Sequence, residues 1–579
     1  MRIPRLYSIA LTLLLPLTTF AAVHHVPPGP AEAITRAIAA AAPGDIIQLQ
    51  PGTYHGTVRV TRSGEPERPL IIAGIASGTT TKPVIDGGAE PGSRKRNQAF
   101  AFENVSWVTL QDVEIRNAWT DAITINDSSY ISILRCDILE TGQHAISARG
   151  DRSHHILIDA CKWTQDTRVY TTWDWAELHH GVFKHYNGGI YGGGAAAGGA
   201  VIRHNNAGYG FNGLRWWLGE ATGAQARHQS NIEIYDNHFH HFRDNVIEPE
   251  NFTWNLHVYH NRLDSCPRGV FSIDGVAGGE IYIYGNTGRW DQDGATEVRA
   301  WTVYKFADYN KKETLNYPLH IYHNSFAYGA AFARGSKVRK ADDHLRHFNN
   351  AYTHQGDSHL GLIEWPGQDC QFDHDISSAP FQPDVSAAGY ETHGIAATDP
   401  KFVDPARNDY RTAPDSAARD AGKIIDGFTL WHTGRAPDAG AYDGDQPVYG
   451  PPFLYREPPG GALYKERPRI VRIFARDTTL AVFFSTPLEP ASLTPKTIQL
   501  KAGTTPLTVR SARFPLADQT QAVLLELDAL PADATQLDIT FATLPRGLNG
   551  ESGTMWAADT RVVRIPANAT LTGLMARLF

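Results

Sequence analysis

Ile232-Glu-Ile-Tyr-Asp-Asn237, Leu256-His-Val-Tyr-His-Asn261 and Ile281-Tyr-Ile-Tyr-Gly-Asn286 are copies of one pattern: two apolar positions separated by one residue, then an asparagine three residues after the second. Further copies are Ala200-Val-Ile-Arg-His-Asn205, Leu319-His-Ile-Tyr-His-Asn324 and Leu345-Arg-His-Phe-Asn-Asn350. Upstream, Ile131-Ser-Ile-Leu-Arg-Cys136 and Ile156-Leu-Ile-Asp-Ala-Cys161 carry cysteine in the asparagine slot. Neighbouring copies typically lie 24 to 26 residues apart, with longer intervals where loops are inserted. Alternation of period two over so few residues is a strand, and one strand shape every two dozen residues is one coil of a solenoid. The fold class expected is therefore all-β.

A second strand sits inside each coil: Ala122-Ile-Thr-Ile-Asn126, Ala145-Ile-Ser-Ala-Arg149, Gly189-Ile-Tyr-Gly-Gly193, Gly213-Leu-Arg-Trp-Trp217, Val246-Ile-Glu-Pro-Glu250 and Val270-Phe-Ser-Ile-Asp274. With its second residue facing in, the third and fifth face out. One outward column then reads Thr124, Ser147, Tyr191, Arg215, Glu248, Ser272, and the other Asn126, Arg149, Gly193, Trp217, Glu250, Asp274. Coils stack about 4.8 Å apart and same-face residues along a strand are about 6.8 Å apart. Glu248, Glu250 and Asp274 thus form one carboxylate patch, with Arg215 beside Glu248 and Trp217 beside Glu250. Lys305 and Asp308 are expected on the next coil.

Composition sets the outer bounds. A chain of 579 residues with 42% hydrophobic and 20% charged residues is neither disordered, nor collagenous, nor a coiled coil. Lys+Arg 53 against Asp+Glu 61, a net charge of −8 with no basic block, speaks against nucleic acid and anionic membrane as partners. Met1-Arg-Ile-Pro-Arg5, an apolar run to Phe20 and the small pair Ala21-Ala22 have the order of a secretory signal peptide, expected over residues 1–22. No other stretch reaches the roughly 18 apolar residues of a membrane span, so the product is expected in periplasm or medium. The solenoid is expected over 23–445. A proline-rich linker follows over 446–468, and short strands separated by turn residues predict a small β-sandwich over 469–579.

The repeat resembles the right-handed parallel β-helix of pectate-lyase-like secreted carbohydrate-active proteins. The stretch Ala31 to Ala42 followed by Pro43-Gly-Asp-Ile-Ile-Gln-Leu-Gln-Pro-Gly-Thr-Tyr54 is similar to that family's capping helix and first strand. The exit motifs Asp399-Pro-Lys-Phe-Val-Asp404, Asp420-Ala-Gly422 and Pro437-Asp-Ala-Gly-Ala-Tyr442 resemble the closing segment of bacterial members. The C-terminal strands resemble a bacterial immunoglobulin-like module. The resemblance implies a polysaccharide or oligosaccharide substrate.

Crowded carboxylates on neighbouring rungs repel one another, which makes a functional use the better explanation of the patch. Two of Glu248, Glu250 and Asp274 could serve a glycoside hydrolase as acid and as base or nucleophile, since about 5 to 9.5 Å separates such pairs. Alternatively they hold Ca²⁺ in a lyase. Glu248-Pro-Glu250 resembles the Glu-x-Glu calcium pair of chondroitinase B and alginate lyase types, where a nearby lysine is the base and an arginine on the following coil assists. Here Asn251-Phe-Thr-Trp-Asn255 offers no lysine, Asp274 stands where the arginine is expected, and Arg268 is offset. Hydrolysis without a cofactor is favoured on that ground, with elimination through Arg268, Arg215 or Lys305 as base the alternative. A non-catalytic glycan-binding surface protein is the third reading, and a solvated surface patch paired by Arg215 the bland one.

Trp216, Trp217 and Trp254, with Tyr191, Arg149, Arg243 and His241, are the candidate substrate-binding residues, because aromatic faces stack on sugar rings. The loop Trp163 to Tyr191, carrying Trp173, Asp174, Trp175 and Glu177, is placed as a wall of the cleft. His154-His155, His179-His180 and His238-Phe-His-His241 repeat no zinc spacing with a fourth ligand, so no metal site is assigned. The asparagine column is read as structural. Tyr235, Tyr259, Tyr284 and Tyr322 are read as an outward stack, structural or covered by the second unit. Cys136 and Cys161 share a slot in consecutive coils, which predicts a disulfide. A chain ending near Gly444 is expected to fold and keep its activity.

Overall fold

The structure is a computed structural model that describes residues 21–75, 81–89, 97–193, 198–216, 229–249, 252–273, 277–291, 293–296, 302–305, 317–328, 344–354, 369–381, 383–459, 465–516 and 518–578. Three parallel sheets run the length of the repeat, two of 13 strands and one of nine, each strand pairing with its equivalent one coil away. The quoted repeat forms the first sheet: Ile131 pairs with Ile156 and Ile133 with Ile158, Leu256 with Ile281 and Val258 with Ile283. Like residues therefore stack on like, and the inward columns merge into one apolar core reaching from Val26 to Val385. The helix Glu32–Ala40 closes the N-terminal end by burying Ile34 and Ile38 in that core.

From the strand Ser129–Leu134 onward, the bend after each first-sheet strand is built from a pair of residues. The residue ahead of the ladder position adopts a left-handed backbone: Arg135, Ala160, His204, Asp236, His260, Gly285, His323, Asn349 and His374. Only one of these is glycine, and for the others that conformation costs roughly 1 kcal/mol. The ladder side chain offsets the cost by bonding the bend. Asn237 Nδ2 donates to Ile202 O at 2.9 Å and to Asn261 Oδ1 at 2.9 Å, and Asn261 repeats the contacts toward Ile234 O and Asn286 Oδ1. The column ends on Asp375, whose Oδ1 accepts from Asn350 Nδ2 at 3.0 Å.

Cys136 and Cys161 extend this ladder, and the expected disulfide is not formed. Both thiols are free and buried. Cys136 N donates to Cys161 Sγ at 3.4 Å, and Cys161 N donates to Asn205 Oδ1 at 2.8 Å. The two side chains thus fill the asparagine role, each sulfur facing the backbone of the neighbouring coil.

Beyond the solenoid, strands Ile470–Arg476, Thr479–Phe484, Val509–Arg513, Ala522–Leu527 and Val562–Arg564 form a five-stranded sheet. Ile498–Ala502, Thr505–Leu507 and Asp538–Phe541 form a three-stranded one, and an apolar core lies between the two. A terminal helix, Leu571–Leu578, was not expected from the sequence and covers a further cluster around Phe474 and Phe483.

This C-terminal part lies against the first sheet. The tyrosine stack Tyr235, Tyr259 and Tyr284, with ring centroids 4.8 and 5.0 Å apart, is buried beneath it, and the Arg472 guanidinium rests 5.2 Å from the Tyr259 ring. Buried Glu233 is paired by Arg469, and His155 Nε2 lies 2.6 Å from Glu466 Oε2. The proline-rich stretch also bonds the sheet: Asn255 Nδ2 donates to Leu454 O at 2.9 Å and Arg456 N to Asn231 Oδ1 at 2.9 Å. No helix among the described residues is long and apolar enough to cross a membrane.

Candidate active site

The third sheet carries the candidate residues. Its inward column is Ile123, Ile146, Tyr191, Leu214, Ile247, Phe271, Tyr304 in continuous register. Its outward column is Thr124, Ser147, Gly192, Arg215, Glu248, with Ser272 and Lys305 paired above. Tyr191 therefore does not face substrate. It is fully buried and stacks on Ile146, so the outward place belongs to Gly192. Both Ile190 and Tyr191 are apolar and buried, and choosing the wrong one as the inward residue shifts the strand by one and exchanges its faces.

Glu248 is 4% exposed and lies 3.2 Å from Arg215 on the rung below, with Asn245 Nδ2 donating to it at 3.1 Å. Lys305 stands two rungs above Glu248, about 10 Å away by strand spacing, with buried Ser272 between them. Arg268 enters from the bend ahead of Gly269, whose Cβ position would lie 3.2 Å from Lys305 Cβ. Glu250, Asp274 and Trp217 lie outside the described residues, as does the side chain of Trp216, whose backbone pairs with Gly193 and Pro249.

The remaining substrate-binding candidates disperse. Arg149, 57% exposed, is paired at 2.9 Å to Asp121 at the rim. Arg243 is 2% exposed and donates to Trp173 O at 3.4 Å, so it anchors the neighbouring loop instead of meeting solvent. Trp254 belongs to the first sheet, past the corner, and is 8% exposed with Tyr317 edge-on at 4.8 Å. It is buried on a different sheet from Arg215 and Glu248. His241 stacks on Tyr209 at 4.8 Å and meets Tyr170 edge-on, and burial lowers its pKa.

The loop expected as a wall is a packed lid. Helices Arg168–Thr171 and Trp175–His179 bury Val169 and Leu178 against Trp119, Tyr186 and Phe211, with Trp173, Trp175 and Phe183 around them. Asp174 starts the second helix by accepting from Ala176 N at 2.7 Å. Trp175 links the lid to the floor, with the Arg268 guanidinium 5.2 Å from its ring and His179 stacked on it at 4.5 Å. Burial lowers the His179 pKa, His180, Arg215 and Lys305 lower it further, and Asp244 opposes them. His179 thus stands over the same floor, a placement that its sequence neighbourhood did not reveal.

A second missed group lies at the adjoining rungs. Asp121, 3% exposed, accepts from Ser147 Oγ at 2.9 Å and from Arg149, and lies 3.1 Å from His144 Nδ1. Its pKa is lowered: burial pushes it up, and the His144 hydrogen bond and the charges of His144 and Arg149 outweigh that. The His144 ring rests on Gly192, where an added Cβ would come within 2.4 Å of Cδ2 and Nε2. The glycine is what lets the imidazole reach the rung next to Arg215.

A solenoid of three parallel sheets with a lidded, cation-bearing wall defines the class: a right-handed parallel β-helix. The family described as right handed beta helix region matches residues 98–287. No match was found among curated protein sequences. Among solved structures the chain is similar to the pectate lyase Pel9A, at 15% identity and TM-score 0.46 over 73% of this chain and 96% of that one. It is similar to a mannuronic acid specific polysaccharide family 6 lyase from human gut microbiota, at 15% identity and TM-score 0.42 over 64% and 91%. A GH136 lacto-N-biosidase from Eubacterium ramulus follows at 11% identity and TM-score 0.36 over 60% and 68%.

Proposed function

We propose that this is a secreted enzyme that cleaves an anionic, uronic-acid-type polysaccharide by β-elimination along the third sheet. The observation that carries the reading is the outward column itself, in which Arg215 stands beside Glu248, Lys305 follows two rungs above, and Arg268 enters next to it from the bend before Gly269. The net negative charge of the whole chain misleads here, because a polyanion responds to the field of the cleft it enters. Glu248 faces Arg215 and accepts from the Asn245 amide, contacts that suit a carboxylate serving as a fixed part of the wall.

In this reading Arg215 and Arg268 bind the substrate carboxylate and stabilise the charge that builds on it when the adjacent C5 proton leaves. Lys305, further along the same outward column, is the base that takes this proton. The electron pair forms the C4–C5 double bond, the C4–oxygen bond breaks, and the departing oxygen takes a proton from water. Of the three carboxylates that the calcium alternative calls on, Glu248 alone is among the described residues. Such an ion needs several oxygen ligands at one point, and the described carboxylate of the trio already faces a guanidinium at 3.2 Å.

Digestion of a polysaccharide panel, following reducing ends together with the ultraviolet absorbance of unsaturated uronates, tests the proposal. Both signals rising together on a polyuronate, insensitive to chelator, is the expected result. Reducing ends without absorbance would return the site to hydrolysis. Lys305→Ala is expected to lower turnover by about 10²- to 10⁴-fold without a change in melting temperature.

A further inference from the structure

The last first-sheet strand, Gln371–Asp373, runs into the left-handed residue His374, and the turn Glu391-Thr392-His393 folds back beside it. Asp373 Oδ1 is held by two backbone donors, His374 N at 3.0 Å and His393 N at 2.7 Å. Its other oxygen, Oδ2, is thereby aimed at two imidazoles, 2.7 Å from His393 Nδ1 and 3.3 Å from His374 Nδ1. The two rings lie face to face, 4.8 Å apart and 25° from parallel. One carboxylate oxygen and two ring nitrogens thus gather within 4.8 Å of one another.

We propose that Asp373, His374 and His393 form a binding site for a first-row divalent transition ion, with zinc the best match. Two imidazoles and one carboxylate are borderline donors that suit zinc and its neighbours, whereas calcium and magnesium require oxygen shells. Ligand atoms about 3.3 Å apart are what a tetrahedral ion with bonds of about 2.0–2.2 Å requires, so small rotations of the two rings suffice. The backbone donors on Oδ1 fix the carboxylate in advance, as outer hydrogen bonds do in established metal sites. Asp373 and His374 side chains are 19% and 18% exposed while His393 is 67% exposed, so the ion would enter from solvent and keep water in its fourth position. The neighbouring Lys423 ammonium is turned onto the Phe348 ring, 3.3 Å from its centroid. Bound metal would pin the 391–393 turn to the final coil. This trio is distinct from His347, Asp375 and Glu391, which lie fully inside the coil end, where Asp375 is taken up by the asparagine ladder.

The test uses the full-length protein, stripped with chelator and dialysed, titrated first with Co²⁺ and then with Zn²⁺. One equivalent of Co²⁺ giving the visible bands of a low-coordinate ion, displaced by one equivalent of Zn²⁺, is expected. His393→Ala removes an exposed side chain and should leave the metal-free melting temperature unchanged. It should weaken Co²⁺ binding by at least about 100-fold, more than loss of an outer hydrogen bond costs, and abolish the rise in melting temperature that Zn²⁺ gives the wild type. Asp373→Asn should do the same. No uptake of Co²⁺ by the wild type overturns the site. Unchanged uptake by His393→Ala also overturns it, by sending the ion to His154-His155, His179-His180 or the His238–His241 run.

Discussion

At the scale of single residues, the proposed active wall depends on positions where size outweighs charge. Gly192 is one of them, since its missing side chain is the space that His144 occupies. Gly192→Ala is expected to push the imidazole off the wall, breaking its contact with Asp121 and lowering kcat several-fold or more, while the strand, whose backbone at 192 is not left-handed, stays paired. Activity and melting curves of the variant, beside those of His144→Ala, check this: the two should show the same loss of activity. Equal activity of Gly192→Ala and wild type would remove His144 from the site. The sequence signalled this residue weakly, because His144 sits in a turn, and only the stacking of coils brings it over the next rung.

The element that sets the solenoid is the ladder bend. Asn261 Nδ2 donates to Ile234 O, Tyr259 O and Asn286 Oδ1, and its Oδ1 accepts from Asn237 N and Nδ2. Asn261→Ala would strand buried donors and acceptors on three coils, and the expected loss is on the order of 3 kcal/mol. Chemical denaturation measures it. Cys161→Asn, in contrast, places the ladder residue beside Asn205, where its neighbours already present matching groups, and should be tolerated. Thiol counting complements the pair: four reactive thiols in the unfolded, unreduced protein are expected, since none is bridged in the fold. The ladder was legible in the sequence because its asparagines recur in one frame. The absence of a disulfide was not, because a shared slot fixes the separation of two cysteines but not the direction of their sulfurs.

For the whole molecule, the decisive feature is the docking of the C-terminal part on the first sheet. A chain ending near Gly444 would bare the tyrosine stack and leave buried Glu233 without Arg469. Uncompensated, that charge and surface should make the truncated protein less stable and prone to aggregate, the opposite of what an independent solenoid would do. Soluble yield and melting temperature of the truncated chain decide it. Acid should loosen the same interface. Burial holds the pKa of His257 well below its ordinary value and that of His320 at about 3, and both line the cleft with Phe428, Leu454 and Arg456. The native state refuses protons that the unfolded chain accepts below about 6.5, so stability present above that pH is lost as pH falls from there toward 3. A melting temperature that is flat above neutrality and declines through this window is expected, with a smaller decline in His320→Gln.

The period of two within each strand and of about two dozen between strands, together with the asparagines at the bend, determined the coil, its core and the register of Arg215, Glu248 and Ser272. Those are local rules repeated along the chain, and repetition makes them readable. Where two apolar residues adjoin, as at Ile190-Tyr191, alternation is silent, and only the packed coil decided which faced out. Arg243, Trp254 and the lid residues Trp175 and His179 depend on contacts between segments far apart in the chain, which carry no period. The same holds for the docking of the C-terminal strands and for the meeting of Asp373 with His393. Those arrangements belong to the tertiary structure, because they are set by which surfaces remain apolar or charged after the coils have stacked.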